Sequence, residues 1–144
     1  MTEERVGYLI KRVQQVLRAR MDEVLLARGL TTPQYAVLLA LEELSGSSNA
    51  DLARRAFVAP QTMIRIVANL KRAGLIERTR HPQHGRILLN QLTERGRRLI
   101  GTCKKAVDDV EARMLAGLSV QEREKLGFLL KRCVNSLESH QEAN

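Results

Sequence analysis

Apolar residues recur three and four positions apart at Val6, Leu9, Ile10, Val13, Val16, Leu17, Met21, Val24 and Leu25, which predicts an amphipathic helix over residues 6 to 28. Gly29 ends it. Thr32-Pro33 opens a second helix, with Thr32 as N-cap and Pro33 at the first helical position; it carries Val37, Leu38, Leu41 and Leu44 and stops at Ser45-Gly46-Ser47-Ser48. Ser48-x-x-Asp51 fits a capping box for a short third helix, to about Phe57. Pro60 starts a fourth, running to Ala73. Leu75 to Arg80 and Arg86 to Leu92 are short β-type runs around the turn His81-Pro82-Gln83-His84-Gly85, in which Gly85 is suited to φ > 0. Thr93 caps a long helix, about 94 to 116, with Leu99, Cys103, Ala106, Val107, Val110 and Met114 on one face. Ser119-x-x-Glu122 is another capping box, and the last helix carries Leu126, Leu129, Leu130, Cys133, Val134 and Leu137. Three helices are expected to exit through a left-handed glycine followed by an apolar residue: Arg28-Gly29-Leu30, Ala73-Gly74-Leu75 and Ala116-Gly117-Leu118.

The expected fold is therefore mainly α with a small β-hairpin. Short helix, tight turn, helix is a helix-turn-helix, whose second helix enters the major groove of DNA. Ala53 and Ala56 are small enough to let the two helices approach, and Val58 is an apolar turn residue suited to anchoring the turn in the core. At about 100° per residue the fourth helix has two faces. Met63, Ile66, Val67, Leu70 and Ala73 form one, expected to be buried. Gln61, Arg65, Ala68, Asn69 and Arg72 form the other, which is polar and carries no acid. Arg pairs bidentately with guanine, and Gln or Asn with adenine, so Gln61 and Arg65 suit base edges, while Asn69 and Arg72 sit further back toward phosphates. Thr62 flanks this face, and Ile64 lies between the two. The hairpin has the form of a wing: Arg78 and Arg80 rise to its tip and Arg86 leaves it, where an Arg suits a narrow minor groove.

Charge sharpens this picture. The chain carries a formal net charge of +8. Residues 51 to 100 hold eleven Lys and Arg against Asp51, Glu77 and Glu94, so the whole excess lies in the segment that contains the third helix, the fourth and the hairpin. A solubilising surface would spread its charge; charge gathered in one segment suggests a polyanion, most commonly nucleic acid. The 144 residues suffice for one domain with a real core, and 3% aromatic content without Trp suits helix-on-helix packing. Met1-Thr2-Glu3-Glu4-Arg5 lacks the apolar core of a signal peptide, and the longest apolar run, Tyr35 to Leu41, is too short to span a bilayer, so no membrane role and a cytoplasmic location are expected.

Other chemistry is sparse. There is no nucleophile motif, Gly-rich phosphate loop or paired carboxylate arrangement, so no enzyme activity and no cofactor are expected. Asp108, Asp109 and Glu111 face several ways on a helix. Cys103 and Cys133 form no disulfide framework or zinc spacing; each sits on an apolar helix face, which reads as a buried, inert thiol. His81-x-x-His84 has no nearby acid or Cys in sequence, and no metal site is expected. Two competing readings are a winged helix used only as a protein-interaction module and a thiol-based redox sensor. The non-acidic outer face of the fourth helix argues against the first.

The sequence resembles the MarR family of bacterial transcription regulators. The matching motifs are Leu30-Thr31-Thr32-Pro33-Gln34-Tyr35, Asn49-Ala50-Asp51-Leu52-Ala53-Arg54-Arg55, Pro60-Gln61-Thr62-Met63, Leu70-x-x-x-Gly74-Leu75-Ile76-x-Arg78, Gly85-Arg86 and Leu92-Thr93-Glu94-x-Gly96, in order over almost the whole chain. The resemblance implies a winged helix-turn-helix homodimer that binds a palindromic operator and releases it when a small anionic or phenolic effector binds near the domain junction. It implies one MarR-type domain over residues 1–144, with 30–92 as the DNA-binding part and 5–29 and 93–140 as a helical dimerisation part. Pro60, Gln61, Thr62, Arg65 and Arg86 fall where the family contacts DNA. The sequence departs from the family pattern in three places. Ala59 replaces the usual capping Ser, Thr or Asp. His84-Gly85 stands where an Asp followed by a basic residue commonly braces the wing. Neither Cys lies in the N-terminal helix, where the peroxide-sensing branch places its thiol. Tyr8, Arg12 and Tyr35 are candidates to line a pocket, but their spacing selects no effector.

Overall fold

A computed structural model describes residues 4–139. Met1-Thr2-Glu3 and residue 140, the expected end of the dimerisation part, lie outside the described residues. The elements are α1 (Val6–Leu26), α2 (Thr32–Glu43), α3 (Asn49–Ala56), α4 (Pro60–Arg72), β1 (Ile76–Arg80), β2 (Leu88–Leu92), α5 (Glu94–Met114) and α6 (Val120–Ser139). The chain forms two compact units, the first ending at Val110 and the second beginning at Glu111.

The core of the first unit is built around α2, whose Tyr35, Val37, Leu38, Ala40 and Leu41 are buried, together with Leu25, Leu52, Met63, Val67, Leu70 and Ile100. The apolar run that was too short to cross a membrane is thus a buried central helix, and no helix among the described residues is long and apolar enough to cross one. The stripe of α1 divides. Leu25 is buried and Val24 packs against the core, whereas Val6, Leu9, Ile10, Val13 and Val16 are exposed. In the second unit, α6 has no buried residue, so its apolar positions, including Cys133, are exposed on the single chain. The expectation of a buried Cys133 is corrected accordingly; Cys103 is fully buried, as expected.

Several boundaries follow capping chemistry that the spacing did not resolve. The N-cap of α2 is Thr31, not Thr32. Its hydroxyl accepts from the Gln34 N–H while the Gln34 side chain accepts from the Thr31 N–H, which moves Pro33 to the second helical position. The Thr32 hydroxyl instead donates to Asp22 of α1, and that bond holds the Asp22 carboxyl below its ordinary range. The capping boxes at Ser48–Asp51 and Ser119–Glu122 form as expected. Gly29 and Gly74 take φ of 80° and 73°, and the following Leu30 and Leu75 N–H groups close six-residue turns onto Leu25 and Leu70. Gly85 and Gly117 do not adopt positive φ; Gly46 does, at 79°. Ala73 is the C-cap of α4 and is exposed, because the helix ends before it reaches the core.

Candidate nucleic-acid interface

The helix-turn-helix is α3 and α4. Ala53 is buried and Ala56 half-buried, and Val58 packs against the core from the turn, as the sequence implied. The turn itself holds a residue that periodicity missed. Phe57, the C-cap of α3, lies in the left-handed region at φ 54°, ψ 42°, the only non-glycine with positive φ among the described residues. Its N–H and that of Val58 both return to the Ala53 carbonyl, the closure that Gly29 and Gly74 provide elsewhere. Phe57 is 95% exposed.

The two faces of α4 separate as expected. Met63, Ile66, Val67 and Leu70 are buried; Pro60, Gln61, Ile64, Arg65, Ala68, Asn69 and Arg72 are exposed, and Thr62 is half-buried. Gln61 and Arg65 make no side-chain hydrogen bond or ion pair among the described residues, so both are available to an external partner. Arg72 is restrained. Its Nη2 donates to Asn69 Oδ1 at 2.5 Å and its Nε to the Ala68 carbonyl at 3.4 Å, which lays it along its own helix. No side chain caps the N-terminus of α4, since Ala59 has none to offer, so its leading amides point outward unpaired by side chains.

β1 and β2 pair antiparallel, with Ile76 opposite Leu92, Arg78 opposite Asn90 and Arg80 opposite Leu88. β2 starts at Leu88, so Arg86 belongs to the tip turn. Arg80 and Arg86 are exposed. Arg78 is not at the tip. It is half-buried, on the same strand face as buried Ile76, and its Nη2 approaches Asn49 Oδ1 of α3 at 3.5 Å. The alternation of β1 already dictated this: residues two apart share a face. At the wing turn, His81 Nδ1 accepts the N–H groups of Gln83 and His84 at 3.0 and 3.1 Å. The His81 and His84 rings lie 5.0 Å apart, tilted by 39°, and no group of three potential metal ligands occurs among the described residues.

Of the eleven cations in the basic segment, only Arg54, Arg55 and Arg98 pair with acids (Asp51, Glu43 and Glu94) among the described residues. Arg65, Arg80 and Arg86 are exposed and pair with no acid among the described residues, so their charge is available. Cys103 is the opposite case: burial pushes its thiol up, only partly opposed by the charge of Arg28, so it stays protonated. Tyr35 is buried with its hydroxyl likewise pushed up, first by burial and then by Asp108, Cys103 and Glu42; Tyr8 and Arg12 are exposed on α1.

The profile of the MarR family matches residues 28–87, the span from the end of α1 through the wing tip. The HTH-type transcriptional repressor Rv2887 of Mycobacterium tuberculosis is 36% identical over 127 residues, covering 88% of this chain and 91% of the relative. The chain belongs to the MarR family. Among solved structures of the family, Rv2887 of Mycobacterium tuberculosis in complex with DNA matches at TM-score 0.76 and 33% identity, over 90% of this chain and 97% of that one. The same protein in complex with salicylic acid matches at TM-score 0.73 and 36% identity, over 90% and 96%. The winged helix-turn-helix is therefore that of a MarR-type transcription regulator, with six helices and a two-stranded hairpin.

Proposed function

We propose that the chain is a cytoplasmic repressor that binds a palindromic operator as a homodimer and releases it when a small organic effector binds. The observation that carries this reading is the outward face of α4. Gln61 and Arg65 stand exposed, unpaired and free of acids on the helix that a helix-turn-helix places in the major groove. Pro60 and Thr62 start the same helix beside its uncapped amides, which suit a phosphate. Asn69 and Arg72 lie behind them as backbone contacts, and Arg80 and Arg86 extend the surface into the wing. Residues 30–92 then form the DNA-binding part, and 5–29 with 93–140 the dimerisation part, in which the exposed apolar faces of α1 and α6 meet a second copy. The role is binding and regulation, not catalysis. Salicylic acid, bound by Rv2887, makes aromatic carboxylates the first effectors to try.

The test is a footprint on the promoter beside this gene. The expected result is protection of two half-sites about one or two helical turns apart, lost on adding salicylate or a related aromatic acid. Protection of a single half-site would remove the palindrome and the dimer, and binding indifferent to every aromatic acid would remove that effector class.

A further inference from the structure

Asn90 is fully buried in the middle of β2, on the same strand face as Leu88 and Leu92, where strand alternation favours Val or Leu. A buried amide is costly unless its polar atoms are bonded. Both Nδ2 hydrogens are used: one to the Ser47 carbonyl at 3.0 Å, the other to Asn49 Oδ1 at 2.9 Å. The Asn90 backbone adds a bridge to the α2–α3 connection. Its N–H donates to the Ser47 carbonyl at 2.8 Å, and its carbonyl accepts from Gly46 and Ser47 at 3.1 and 3.3 Å. Ser47 Oγ is in turn fixed to the Leu44 carbonyl at the end of α2, at 2.8 Å. Directly opposite on the ladder, Arg78 also reaches Asn49 Oδ1. Among the described residues, the buried side-chain polar atoms without partners are Arg78 Nε and Asn90 Oδ1, a donor and an acceptor at paired positions. Asn49 is the first residue of α3. Asn90 therefore ties β2 to the α2–α3 connection and to Asn49 at the start of the helix-turn-helix, where Arg78 of β1 also converges.

An isolated two-stranded hairpin is marginally stable at best in water and depends on what it packs against. We propose that Asn90 is a positioning residue: with Ser47, Asn49 and Arg78 it locks the wing to the N-terminus of α3, and so sets where Arg80 and Arg86 stand relative to α4. It does this from inside the protein, without touching DNA. Replacing a buried polar network as a whole by apolar groups is often neutral for stability, whereas removing one member leaves its partner unpaired. What the network supplies is direction. This rests on the wing reading given under the proposed function.

Asn90→Leu keeps the heavy-atom count and branching of the side chain, in a somewhat larger group, and removes every side-chain bond. Trypsin cuts after Arg80 and Arg86, at the wing tip. The variant is expected to be cut there faster than wild type and to bind operator roughly tenfold more weakly. In an Arg80→Ala/Arg86→Ala background, the same substitution is expected to cost no further affinity, because the wing no longer contributes. An equal loss in both backgrounds, or a wild-type cleavage rate, overturns the proposal. If Arg80→Ala/Arg86→Ala binds operator like wild type, the wing reading itself is wrong, and the cleavage rate alone decides whether Asn90 holds the hairpin. Should Asn90→Leu fail to fold, Asn49→Ala removes the acceptor shared by Asn90 and Arg78 and is expected to reproduce both effects.

Discussion

Phe57 shows at the scale of one residue how local strain is accepted for a turn. The α3–α4 turn needs a left-handed residue, and here that residue has a Cβ and a fully solvated ring. A left-handed L-residue costs roughly 1–2 kcal/mol, part of which glycine's extra unfolded-state freedom would offset. Phe57→Gly is therefore expected to stabilise the fold by up to about 1 kcal/mol, read as a rise of about 2 °C in melting temperature at fixed protein concentration. A lower melting temperature would show that the ring makes a stabilising contact. Cys103 is the complementary residue. Buried and held protonated, it is expected to react with thiol reagents only after denaturation, and Cys103→Ser with Cys133→Ser should leave DNA release by an effector intact. Release by peroxide in wild type but not in the double variant would make the trigger oxidative.

At the scale of elements, Gly96 explains why the start of α5 carries glycine. A Cβ there would lie 2.2 Å from the Leu75 carbonyl oxygen and 3.1 Å from its carbon, both backbone atoms that cannot swing aside. Thr93 fixes the same junction, its Oγ1 donating to the Gly74 carbonyl at 2.7 Å and accepting from Gly96 at 3.1 Å. Gly96→Ala is expected to destabilise by about 1–3 kcal/mol, measured by thermal unfolding; an unchanged melting temperature would mean that α5 can shift away from Leu75. The helices, their order and the two faces of α4 were legible because burial repeats at the helical period, and the capping boxes marked two starts. The wing was legible only in outline. Its inner face carries Arg78 and Asn90 where an alternating strand would carry apolar residues, so Arg78 reads as a tip residue and Asn90 gives no signal in the sequence. The partner that explains them, Asn49, lies 41 residues from Asn90 in the chain. Gly85 looked like the left-handed turn residue, yet His81 closes that turn through its ring, a contact no spacing rule anticipates.

For the whole molecule, the apolar residues of α1 and α6 are exposed on the single chain, and the proposed homodimer would cover them. Removing residues 126–144 is expected to yield an aggregating or unfolded chain in sedimentation; a soluble, DNA-binding truncation would contradict the dimer reading. The central claim, that α4 reads bases while the rest of the basic surface holds phosphates, is tested most directly by a salt-titrated binding series on operator and scrambled duplexes with Arg65→Ala and Arg72→Ala. Arg65→Ala is expected to cost about 1–3 kcal/mol on the operator, with little change on scrambled DNA and relaxed preference at one base pair per half-site. Arg72→Ala should weaken both duplexes alike and flatten the salt slope by about one unit per site. If Arg65→Ala lowers both affinities equally, Arg65 is a phosphate contact, and the face of α4 turned to the bases is not the one assigned here.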